Sequence, residues 1–192
     1  SAFYGCTGLT GNLIFPTGLT SIGGYAFCGC SGFEGCTLKL PDGLERVEEW
    51  TFSGCGFSKI TVPASVTYIG SRGLYGETYT YNEKDVYFSG NAPTVSAASG
   101  SYSSFSPYAT LYFERGKTGW IDGSYYDPST GRWKGYRLLP ANEELDGVLA
   151  YGACGVSQSG TDLLMWKLYE DGRLSISGSG AMADYSTEKP AP

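Results

Sequence analysis

The groups in this chain that could do chemistry are six cysteines and nineteen carboxylates; it holds no histidine. Without imidazole, Ser-His-Asp and Cys-His catalysis and the histidine-based metal sites are closed to it. Three thiols recur at regular intervals: Cys6, Cys30 and Cys55, 24 and 25 residues apart. Stacked coils lie about 4.8 Å apart, and parallel Cβ vectors at that spacing are too distant for a relaxed disulfide. The column is therefore expected to consist of free, buried thiols. Cys28, Cys36 and Cys154 lie off it, and Cys28-x-Cys30 is too closely spaced for a zinc site. Paired acids can hydrolyse a glycoside. The candidates Glu48, Glu49, Asp122 and Asp127 read instead as solvated surface acids. The run from Asp122 to Asp127 lacks the fixed alternate acids of a calcium loop. No catalytic residue, metal or cofactor is expected.

What must position these groups is a repeat. Ala2-Phe3-Tyr4-Gly5-Cys6 returns as Ala26-Phe27-Cys28-Gly29-Cys30, as Thr51-Phe52-Ser53-Gly54-Cys55 and, degraded, as Gly73-Leu74-Tyr75-Gly76-Glu77. After each marker comes an apolar-x-apolar triplet: Leu13-Ile14-Phe15, Leu38-Lys39-Leu40, Ile60-Thr61-Val62, Val86-Tyr87-Phe88 and Leu111-Tyr112-Phe113. A period in the low twenties marks a solenoid. Strand alternation puts the outer residues of each triplet inward, in two apolar columns that stacked coils can bury together. The reading is a mainly β solenoid of about five coils, with parallel strands and short helical turns. The fourth and fifth coils, where the marker fades and a Ser-rich insertion runs from Ser96 to Ser106, are expected to be the least regular.

The middle residues Ile14, Lys39, Thr61, Tyr87 and Tyr112 face outward, and Lys39, Thr61, Tyr87 and Tyr112, flanked by Lys59 and Asp85, form the candidate binding surface. Tyrosine offers contact area and a hydroxyl at low conformational cost. A second outward column is Tyr25, Trp50 and Arg72, just before the marker in three successive coils. Trp120 and Trp133 are expected to close the far end of the core.

The markers, the triplets ending in Pro16, Pro41 and Pro63, and the segments Leu19-Thr20-Ser21-Ile22-Gly23 and Val66-Thr67-Tyr68-Ile69-Gly70 together resemble the BspA-type leucine-rich repeats of bacterial surface proteins. The resemblance covers about three quarters of the chain. It implies a leucine-rich-repeat array that acts in adhesion, through protein or glycan contacts. The segment from Cys154-Gly155 through Leu164–Tyr169 and Asp171-Gly172-Arg173-Leu174 to Gly180–Tyr185 is similar to a module that precedes such arrays.

The expected organisation is therefore an array with its closing segment over 1–139, a linker over 140–153, and a β-hairpin module over 154–192 that opens a further array. The chain starts in mid-repeat, so it is expected to be a piece of a longer protein whose signal and anchor lie elsewhere. Net charge is −6 with no basic stripe, which argues against nucleic acid. No apolar run approaches a membrane span. The functional expectation is a non-catalytic interaction module at the cell surface or secreted. It would bind an unidentified host or microbial protein or glycan. The alternatives are a carbohydrate-binding accessory of a larger hydrolase and a passive spacer.

Overall fold

The structure, a computed structural model, describes residues 1–76, 84–96, 103–122, 124–127, 130–141, 148–156 and 163–177. Its main sheet is built where the triplets predict strands. β1 (Thr37–Lys39) pairs in parallel with β3 (Lys59–Val62), β3 with β5 (Lys84–Phe88), and β5 with β7 (Ala109–Phe113). The register aligns Leu38, Ile60, Val86 and Leu111, and aligns Val62, Phe88 and Phe113. With Leu40, these side chains are at most 3% exposed. On the return side β2 (Arg46–Val47), β4 (Tyr68–Ile69) and β6 (Thr94–Val95) form a second parallel sheet, which points Val47, Ile69 and Val95 at the same core. Three turns thus carry a strand on both sides. The helical turns amount, among the described residues, to one 3-10 turn at Ser31–Phe33.

One expectation about the array needs correction. Leu13-Ile14-Phe15 is not a strand: Leu13 and Phe15 are half-buried and Ile14 is 85% exposed. Among the described residues its backbone makes no hydrogen bond to β1, so the triplet joins no ladder. Residues 77–83 and 97–102, on which the expectation of irregular fourth and fifth coils falls, lie outside the described residues, while those coils carry regular strands in the main sheet. β5 and β7, at five residues each, are its longest array strands, because Lys84-Asp85 and Ala109-Thr110 extend the triplets. The end of the Ser-rich insertion supplies a marker of its own. Ser103 and Ser104 carbonyls accept from Arg72 and Leu74 N–H, and Phe105, fully buried, bridges Leu74.

Marker turns interlock by backbone bonds from one coil to the next, such as Phe27 N–H to Thr51 O (2.9 Å) and Gly29 N–H to Ser53 O (2.7 Å). Phe3, Phe27 and Phe52 stack at 5.0 and 5.5 Å. Cys6, Cys28, Cys30, Cys36 and Cys55 are free thiols. Cys30 and Cys55 donate S–H to the carbonyls of Phe3 and Phe27, each at 3.0 Å, so the column is a hydrogen-bonded ladder as well as packing. The Cys154 side chain lies outside the described residues.

The closing segment does more than cap. Trp120 and Trp133 are buried, 5.0 Å apart, and each indole N–H reaches a carbonyl, of Gly90 and Gly119 respectively. β8 (Tyr126–Asp127) pairs antiparallel with β9 (Arg132–Trp133), and β9 with β10 (Tyr136–Pro140). β10 then joins β7 in parallel and extends the main sheet, which the sequence reading did not foresee. The expected linker over 140–153 is also shorter than read. β11 (Val148–Val156) is already a strand, and with β12 (Leu163–Tyr169) and β13 (Leu174–Ser177) it makes a three-stranded antiparallel sheet. The expected hairpin is therefore a three-stranded unit. The segments Gly178–Gly180 and Gly180–Tyr185 and the tail 186–192 lie outside the described residues.

Candidate binding surface

In a strand every second side chain leaves the same face. The register therefore assembles two outward columns on the main sheet. One runs Thr37, Lys59, Asp85, Thr110, Arg137; the other runs Lys39, Thr61, Tyr87, Tyr112, Leu139. Six of the nine sequence candidates (Lys39, Lys59, Thr61, Asp85, Tyr87 and Tyr112) share this face. Lys39 and Lys59 are exposed; Thr61, Asp85, Tyr87 and Tyr112 are half-exposed.

The tyrosines do not lie flat. Tyr87 and Tyr112 stack face to face at 4.4 Å with 6° between ring planes, and the Lys59 ammonium sits 4.4 Å from the Tyr87 ring centre. Both faces of Tyr87 are thus occupied, and what it offers a partner is its edge and hydroxyl. Burial raises the Tyr112 hydroxyl well above the usual tyrosine range, and the Asp85 carboxylate and its hydrogen bond raise it further, against the pull of Arg137. Burial and Asp85 raise Tyr87 as well. Both phenols therefore stay protonated donors at neutral pH. Leu139, at the end of the column, is 1% exposed, so the accessible strip ends at Tyr112.

The remaining candidates, Tyr25, Trp50 and Arg72, form a separate ladder. Tyr25 stacks on Trp50 at 5.7 Å, and the Arg72 guanidinium lies 4.5 Å from the Trp50 ring and 4.6 Å from Tyr75. All three occupy the left-handed region, with φ of 58°, 56° and 52°. A bulky side chain pays for that conformation, so the ladder sets contacts against backbone strain in three successive coils. Tyr25 is 37% exposed.

Three of the four acids weighed as catalytic are engaged elsewhere. Glu48 pairs with Arg46 at 2.9 Å, Asp122 accepts from Gly119 N–H, and Asp127 accepts from the Thr130 hydroxyl at 2.9 Å. Among the described residues no cluster of acids and thiols could hold a metal, and no helix is long and apolar enough to cross a membrane. Sequence reasoning missed a third ladder: Arg46 aligns with Tyr68, its guanidinium 3.9 Å from the ring, with Thr94 next in register. The signal was present, since each precedes an inward Val47, Ile69 or Val95.

A family model described as the BspA-type leucine-rich repeat region matches residues 1–104, in six copies. No curated protein and no solved structure matches the chain.

Proposed function

Since the chain belongs to the BspA-type leucine-rich repeat family, whose proteins are usually on bacterial surfaces or secreted, we propose that it is an adhesion module that binds a surface protein through the main sheet. The observation that carries this is the stacked Tyr87–Tyr112 pair flanked by Lys59 and Asp85 on a rigid parallel sheet. Hydroxyl edges and charges fixed in register suit a shallow protein contact, in which preordered side chains lower the entropic cost of binding. A sugar platform needs a free ring face, and Tyr87 has none to give. This weighs against the carbohydrate-accessory reading at this face.

The test is attachment of the purified chain to bacterial cells and to host matrix and mucin, compared with a Tyr87→Ala/Tyr112→Ala variant. Attachment should fall with the double variant while circular dichroism stays unchanged. Equal attachment would leave the chain a spacer. A glycan array on which wild type binds and the double variant does not would move the ligand class from protein to sugar.

A further inference from the structure

Among the described residues, the hydrogen bonds between the first coil and the second all lie at the marker turn. At the turn, Phe3 N–H bonds Ala26 O (2.7 Å), Gly5 N–H bonds Cys28 O (2.8 Å) and Cys30 Sγ bonds Phe3 O (3.0 Å). At the strand, the two coils part. Cys36 O accepts from Ser58 and Leu40 N–H donates to Thr61 O, both toward β3. Successive residues of a strand direct their N–H and C=O groups to opposite sides. Thr37 and Lys39 therefore aim theirs away from β3, at the first coil. One coil later, Leu40 N–H to Thr61 O shows what the closed arrangement looks like. Its counterpart, Phe15 N–H to Lys39 O, is not formed. Between the two unpaired edges lies a cavity of about 420 Å³, walled by residues 13–18 on one side and 39–43 on the other. That is within the range of roughly 300–1,000 Å³ typical of ligand sites.

We propose that this gap is a slot for an extended segment of a protein partner, which enters as an extra strand against the free edge of β1. Strand addition to an open edge supplies affinity through main-chain bonds and specificity through alternate side chains. The slot's chemistry states the sequence it takes. Inward positions meet Leu13, Phe15 and Leu40 and must be apolar. The outward position between them lies beside Lys39, which is exposed and has no ion pair among the described residues, so it takes an acid. Asp42 at the far end excludes a second acid there. The occupant is thus an apolar-acid-apolar strand with uncharged ends. The slot lies at the edge of the sheet and does not depend on the Tyr87–Tyr112 reading.

The probe is acetyl-Thr-Leu-Glu-Leu-Thr-amide, followed by amide chemical shifts and calorimetric titration. Binding should move the Thr37 and Lys39 amides, and N-methylation at the central residue should abolish it. Lys39→Glu should weaken binding by about tenfold or more, and a peptide with Lys in place of Glu should restore it. The Tyr87→Ala/Tyr112→Ala variant should bind the peptide as wild type does, whatever it does to cell attachment. Absence of binding at millimolar peptide overturns the proposal. So does slow hydrogen exchange at Thr37 and Lys39 in the free protein, which would mean that the first coil zips onto β1. A concentration-dependent dimer that protects the same amides would assign the edge to a second copy instead and equally refute a peptide slot.

Discussion

Among the groups through which alkaline pH should act on this fold, Cys55 gives the effect that a single substitution isolates. Cys55 is wholly buried, donates to Phe27 O at 3.0 Å, and is pushed by burial from 9.0 up to about 12. The folded chain thus holds this proton more tightly than the unfolded chain does. The stabilisation is complete below the unfolded value of 9.0 and is lost as pH climbs toward about 12. One unit is worth about 1.4 kcal/mol, so the loss at roughly pH 11 is on the order of 3 kcal/mol. Lys84 works in the other direction. Burial lowers its ammonium, so the unfolded chain binds more protons and stability rises with pH up to 10.5. Lys84 and the tyrosines are present in both proteins of a comparison with Cys55→Ala, which removes in addition the attraction between Lys84 and the Cys55 thiolate. At neutral pH that variant should be less stable by about 1–2 kcal/mol, from the lost sulfur packing and S–H bond. Urea titrations followed by circular dichroism, under reductant, from about pH 7 to about pH 11 would show the wild-type advantage shrinking and then reversing. Two parallel curves would refute the buried-thiol argument.

Trp120→Ala should cost about 3–5 kcal/mol, because it empties a fully buried site between Phe88 and Trp133 and removes the bond to Gly90 O; thermal unfolding would show it. Gly70→Ala should destabilise by about 2 kcal/mol or more, since its Cβ would lie 2.6 Å from the Glu49 backbone nitrogen; a lower urea midpoint would report it. At position 50 the usual order should invert. With φ at 56°, Trp50→Gly should be more stable than Trp50→Ala by about 1 kcal/mol, although both lose the stack; equal urea midpoints would remove strain from the account.

The inward columns were legible because burial leaves little choice: a residue between two coils must be apolar, and Leu38, Ile60, Val86 and Leu111 recur at the period. Phe105 was hidden because its neighbours are serines, and only the backbone bonds from Arg72 and Leu74 reveal a marker turn there. β10 was hidden for a different reason. Tyr136–Pro140 carries no repeat marker, and its pairing with β7 is fixed by the Trp133 and Trp120 packing that precedes it. The first coil was over-read, because a matching sequence becomes a strand only where a neighbour pairs with it, and Leu13-Ile14-Phe15 makes no ladder with β1.

The candidate surface was legible as positions and not as shape. Alternation says that Tyr87 and Tyr112 point outward, and the period says that they are adjacent. Neither says that two rings about 4.8 Å apart along a sheet will turn to face each other. That turn decides the chemistry. Face-to-face stacking covers the ring surfaces a sugar would use and leaves hydroxyls and edges, while Lys59 closes the outer face of Tyr87. The Tyr25–Trp50–Arg72 ladder repeats the logic at a left-handed turn, where the strain of three bulky residues is set against mutual contact. In both places the surface side chains have spent their freedom on one another before any partner arrives. A ligand that met them would not have to order them, which lowers the entropic cost of the shallow contact proposed above.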